Sequence, residues 1–146
     1  MGRKERGTIV KKLTGIFALA LVLALVLTSL VACDKSDSIK KDFEEAGYEV
    51  EVISAKNDKA KAIFTLLGYT EDDIDEIEEY ELIYCHNGLT KSALIVKYPS
   101  AAELKEELID EGSKAYYDER VSEGKVRGNC HLIYGIGGAG DVFAGN

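Results

Sequence analysis

The chain has 146 residues, 18 basic against 26 acidic, for a net charge of −8. That length suits one domain rather than two. The first 32 residues hold five basic residues and one acidic, leaving 13 and 25, net −12, for the remainder. A domain that acidic is repelled by nucleic acid and by anionic headgroups, but it tolerates cations, basic peptides and neutral ligands. The same charge also serves simply to keep a small surface soluble.

Arg3, Lys4, Arg6, Lys11 and Lys12 form a basic head, and Leu13 to Ala32 carries no charge. A basic head, an apolar run and a small residue before a cut site predict a secretory signal over residues 1–32. The run is also long enough to span a bilayer, so an uncleaved membrane helix is the competing reading. Its end separates the two. It reads Leu30-Val31-Ala32-Cys33, followed by Asp34-Lys35-Ser36-Asp37-Ser38. This resembles the lipobox of bacterial lipoproteins: an aliphatic residue, a tolerated middle residue, a small residue, then cysteine. The resemblance implies cleavage between Ala32 and Cys33, a diacylglyceryl group on the Cys33 thiol, and often acylation (palmitate or a similar chain) of the new amino group. One acyl chain holds a protein only marginally, whereas two or three on one cysteine make a stable lipid anchor. The expected address is the cell membrane, on its extracytoplasmic face.

Residues 33–38 read as the lipidated cysteine and a short tether. Ile39, Phe43 and Ala46 then recur at helical spacing until Gly47. Tyr48 to Val52 alternates as a strand with one wet face does. Asn57 or Asp58 caps a helix bearing Ala60, Ile63, Phe64 and Leu67. Thr70 with Asp73 predicts a capping box for a short acidic helix. Tyr80 to Cys85 and Leu94 to Tyr98 read as strands joined through Asn87-Gly88, a strong hairpin signal. Ser100 and Glu103 open a helix running towards Gly124, which Gly112 bends or divides. A Gly128-Asn129 turn leads to a strand from Cys130 to Tyr134, and residues 136–146 read as a flexible, glycine-rich tail.

Without the first helix the order is strand, helix, strand, strand, helix, strand. That pattern predicts an α+β domain over 39–135: a ferredoxin-like two-layer sandwich, with an antiparallel sheet in order 4-1-3-2 and helices on one face.

Few residues suggest chemistry. Cys85-His86 and Cys130-His131 make a zinc ligand set by composition, but neighbours on a strand point to opposite faces and the spacing fits no finger pattern. A Cys85–Cys130 disulfide is permissible after export, yet in the expected strand order the two occupy opposite edges, about 14 Å apart. Buried free thiols are therefore the expectation. Gly135 to Gly140 matches G-x-G-x-x-G, but too little chain follows it for a dinucleotide fold. Glu71 to Glu81 holds eight acids in eleven residues. Ile74 and Ile77 interrupt them as the buried side of a solvated helix would, and weak divalent-cation binding stays open. The eight tyrosines suit core positions with a wet hydroxyl, or stacking on sugars.

The sequence carries no G-x-S-x-G elbow and no H-E-x-x-H helix. No catalytic residue, cofactor or metal ligand is assigned, and the expectation is a protein that is not an enzyme. In general style the mature part resembles small lipoproteins of Gram-positive bacteria, a likeness that lends no activity. The expected role is a non-catalytic interaction module of the cell envelope, with membrane contact through the lipid on Cys33, an envelope protein as partner and no nucleic acid. The alternative is a small-ligand or divalent-cation binding protein at the membrane surface.

Overall fold

A computed structural model describes residues 34–145. Ala32, Cys33 and the expected signal lie outside them. The chain runs α1 (Ser36–Glu45), β1 (Glu49–Ile53), α2 (Asp58–Leu66), α3 (Glu71–Ile77), β2 (Glu81–His86), β3 (Ser92–Lys97), α4 (Ala101–Glu111), α5 (Lys114–Ser122), β4 (Val126–Arg127), β5 (Cys130–Ile136) and α6 (Ala139–Ala144). No helix among the described residues is long and apolar enough to cross a membrane.

The protein is α+β, with one five-stranded antiparallel sheet and helices packed on it. Local chemistry sets the element ends. Asn57 accepts from the Lys59 amide, Ser100 from that of Glu103 and Ser113 from that of Tyr116. Each satisfies a backbone donor that its helix leaves orphaned. The expected capping box is present: Thr70 Oγ1 accepts from the Asp73 amide at 3.3 Å, and Asp73 accepts from the Thr70 amide at 2.8 Å. Gly112 divides α4 from α5, because a Cβ there would lie 2.7 Å from the Tyr116 ring.

The strand order differs from the ferredoxin-like 4-1-3-2. It is β1-β2-β3-β5-β4, with each of β1, β2, β3 and β5 beside its neighbour in sequence or one strand on. The physical reason is the number of helices in the first connection. A single helix returns the chain to begin a parallel strand. Here both α2 and α3 lie between β1 and β2, so the chain goes out and back, and β2 pairs antiparallel with β1.

Helices also cover more than the expected single face. On one side Leu82, Leu94, Val96 and Tyr98 meet Phe64, Ile74, Leu104 and Leu108, and this sheet-and-helix pair is the two-layer sandwich. On the other side Ile83, Cys85, Ala93, Ile95 and Leu132 meet Ile39 and Phe43 of α1, and Ala139 and Phe143 of α6. A bulge in β5 opposite Leu94 and Ile95 sends Ile133 and Tyr134 to the same face.

The C-terminal residues correct a second expectation. Residues 136–146, read as a flexible tail, include the end of β5 and all of α6, and Phe143 is fully buried. Gly137 turns into α6 at φ +67°, where a Cβ would run into the Thr90 carbonyl oxygen. Arg127 fastens this end: its guanidinium lies 2.6 Å from Asp42 and donates to the Ser38 hydroxyl at 3.0 Å and the Phe143 carbonyl at 3.3 Å.

Candidate functional site

The N-terminal junction is fixed from its first described residue. Asp34 accepts from the Ser36 amide at 3.0 Å and the Ser36 hydroxyl at 2.7 Å, and lies 3.3 Å from Lys97. The Ser36 hydroxyl is the main cause that holds the Asp34 carboxyl down at about 2. The Lys35 amide donates to Asn129 Oδ1 at 3.1 Å, and the Asn129 side chain donates on to the Tyr98 carbonyl at 2.9 Å. Residues 34–38, read as tether, are thus already part of the fold.

The Cys-His pairs do not converge. Cys85 and Cys130 are free and buried, and burial pushes both thiols up to about 12. The reason for their separation is not the expected one. They lie on β2 and β5 with β3 between them, opposite Ala93 and Lys97 respectively, so they are offset along the sheet as well as across it. His131 is buried, and its Nε2 accepts from Arg120 Nε at 3.1 Å. Burial first, then the Arg120 charge, lowers its pKa to about 3 and keeps it neutral. His86 stacks on Tyr84 with ring centroids 5.1 Å apart. Among the described residues, no group of three or more His, Cys, Asp or Glu is placed to hold a metal ion.

The acidic helix α3 has two different sides. Lys56 reaches Asp75 at 3.5 Å and Glu78 at 3.0 Å, and Lys40 reaches Glu81 beyond the helix at 3.7 Å. Asp73 serves the cap. Glu76 and Glu79 have no ion-pair partner among the described residues. They face α4, where Glu107 and Glu111 are likewise unpaired. These four carboxylates surround a hollow of about 200 Å³ floored by Ile77, Tyr80 and Tyr98. A second hollow of about 320 Å³ shares Glu76, Ile77 and Glu111 and continues to Tyr69 and Leu67. Together they form one groove between α3 and α4.

Two observations set this groove apart from an ordinary solvated face. Glu111 ends α4, one turn after Glu107, and neither α3 nor α4 has a basic residue in its last turn. Acids there oppose the helix dipole and repel each other at i,i+4 spacing. Crowding by protein atoms, then Glu107, Glu76 and Asp73, raises the Glu111 pKa, although the residue as a whole stays exposed. The second observation is Tyr98, only 5% exposed, whose ring packs on Tyr80 with centroids 4.6 Å apart. Its hydroxyl has no hydrogen-bond partner among the described residues but is not cut off from solvent. Burial, then Glu111, Tyr80 and Glu107, pushes its pKa up, so it stays a neutral phenol that can both donate and accept.

Sequence reasoning found the α3 acids and missed the groove, because its other wall comes from α4 and its floor from the end of β3. The unpaired Glu106-Glu107 and Asp110-Glu111 at the close of α4 were the available signal. The lining residues include no serine, cysteine or histidine, so no nucleophile or imidazole base stands in the groove. What it offers is negative potential and the tyrosines Tyr69, Tyr80 and Tyr98. No protein-family model, curated protein or solved structure matches this chain.

Proposed function

We propose that this protein is a non-catalytic interaction module of the cell envelope, lipid-anchored through Cys33 on the extracytoplasmic face of the membrane. The anchor rests on the lipobox resemblance of Leu30 to Cys33. The observation that carries the role is the junction: Asp34, the residue after the proposed lipid site, is already held in the fold by Ser36 and Lys97. Without a tether the domain stays within reach of the headgroups, and its partners are proteins at that surface. The inert, buried thiols and the neutral His131 are in keeping with a binding rather than a catalytic role.

Cross-linking of a tagged, lipid-bearing protein in native membranes tests this reading. One stoichiometric envelope partner, lost with Cys33→Ser, is the expected result. The same partner recovered equally by a soluble form would remove the need for an anchor.

A second reading, that the protein binds a cationic ligand at the membrane surface, is favoured by the unpaired carboxylates between α3 and α4.

A further inference from the structure

We propose that the open edge of β1 receives an extended segment of a partner protein as an added strand, one in which lysine or arginine alternates with apolar residues. This deepens the interaction-module reading above by naming the surface and the chemistry of the partner, and it rests on that reading only for the partner's address.

β1 is an outer strand of the sheet, paired on one side only, with β2. Successive residues of an antiparallel strand turn their backbone groups to opposite sides. The Asn87 amide donates to the Lys91 carbonyl at 2.8 Å across the β2–β3 hairpin, so Leu82, Tyr84 and His86 turn theirs towards β1. Their partners Ile53, Glu51 and Glu49 complete that ladder, which leaves the amides and carbonyls of Val50 and Val52 facing outwards. Tyr48, next in the outward series, agrees: its amide donates to the Phe43 carbonyl, away from β2. Among the described residues no hydrogen bond reaches the outward groups of Val50 or Val52. On the opposite edge, β4 covers the start of β5. There the Leu132 amide donates to the Lys125 carbonyl, and the Leu132 carbonyl accepts from Arg120 at 2.7 Å.

The side chains of β1 select its occupant. Natural edges are commonly guarded by proline, lysine, a bulge or another charge. β1 has no proline, lysine or bulge and keeps an unbroken register with β2, so its guard is Glu49 and Glu51. These acids turn away a second copy of this chain. The two-fold register that pairs the outward groups of Val50 with those of Val52 sets Glu51 against its own counterpart, and like charges directly opposite destabilise a ladder. A basic residue at that place turns the repulsion into attraction. Glu51 meets Lys59 at 3.2 Å but stays 43% exposed. Glu49 lies 3.3 Å from His86 and meets no lysine or arginine among the described residues, so a second basic residue two positions along suits it. The residues between fall on the other face of the added strand, beside Val52, which is 56% exposed. Backbone pairing then supplies affinity, and alternate side chains supply specificity.

Amide hydrogen exchange of the full-length protein in detergent, titrated with a short peptide that alternates lysine with valine, tests this. Exchange at Val50 and Val52 should slow about tenfold or more at saturation. A peptide of the same composition with its lysines clustered at one end controls for the general attraction of an acidic domain, and should bind about tenfold more weakly. Val52→Pro removes an outward donor and no β1–β2 bond, a place where edge strands tolerate proline, and should weaken binding about tenfold. Glu49→Lys with Glu51→Lys should lose the lysine peptide and bind its glutamate counterpart instead. Melting temperature shows that each variant is folded. Equal binding of the two lysine peptides, unslowed exchange at Val50 and Val52, or a charge-swapped variant that still prefers the lysine peptide would overturn the proposal. A peptide-free dimer that protects these amides would give the edge to a second copy and overturn it too. An envelope partner whose cross-links all lie away from β1 would overturn this proposal and leave the interaction-module reading in place.

Discussion

Asp34 and Lys97 stand 3.3 Å apart, which ties the first described residue to the end of β3. With the two bonds from Ser36, this holds the Asp34 carboxyl at about 2, below its ordinary 3.8. A depressed folded-state pKa means stabilisation that is complete above the unfolded pKa and is lost as pH falls from about 4 towards 2. Asp34→Asn should therefore lower stability near neutral pH and flatten this acid limb in urea unfolding. The carboxylate is 38% exposed, so solvent screening limits the ion-pair share to about 1 kcal/mol or less.

Removing groove carboxylates should act in the opposite direction. Glu107→Gln and Glu111→Gln relieve like-charge repulsion at i,i+4 and remove charges that oppose the α4 dipole, so each should stabilise by about 0.3–1 kcal/mol. Melting temperature reads this directly. Because the Glu111 pKa is raised in the fold, its charged form opposes folding. Its penalty is present above the folded pKa and fades as pH drops towards the ordinary 4.5. Wild type should gain stability over that window, and Glu111→Gln should lose the gain.

Local patterns read well from the sequence and long-range ones did not. The Thr70–Asp73 box, the Ser100 cap and the Gly112 break depend on residues a few positions apart, and each stands where the spacing put it. Strand order depends on how many passes a connection makes, and residues 57–79 make two where the pattern suggests one. The continuous apolar stretch of β3, buried from Ser92 to Val96, was a missed sign of helices on both faces. In the C-terminal residues the high glycine content masks Val142 and Phe143, which complete the core on the α1 side.

Phe143→Ala tests that correction. A fully buried phenylalanine cut to alanine costs about 3–5 kcal/mol. A flexible tail would lose less than about 0.5 kcal/mol, the usual range for surface substitutions. Chemical denaturation distinguishes the two.

Cys85 and Cys130 should resist alkylation at pH 8 in the folded protein and react fully in denaturant. Their pKa near 12 leaves almost no thiolate, and burial blocks access. Mass spectrometry after timed iodoacetamide exposure counts the adducts. Rapid modification of both under native conditions would contradict the buried arrangement.

The lipid anchor is tested most directly by the intact mass of the protein extracted from its native membrane, with the N-terminal peptide sequenced. An anchored lipoprotein predicts a chain that starts at Cys33, lacks residues 1–32 and carries a diacylglyceryl adduct on that cysteine. A chain that retains residues 1–32, or one that starts at Cys33 with an unmodified thiol, would contradict it.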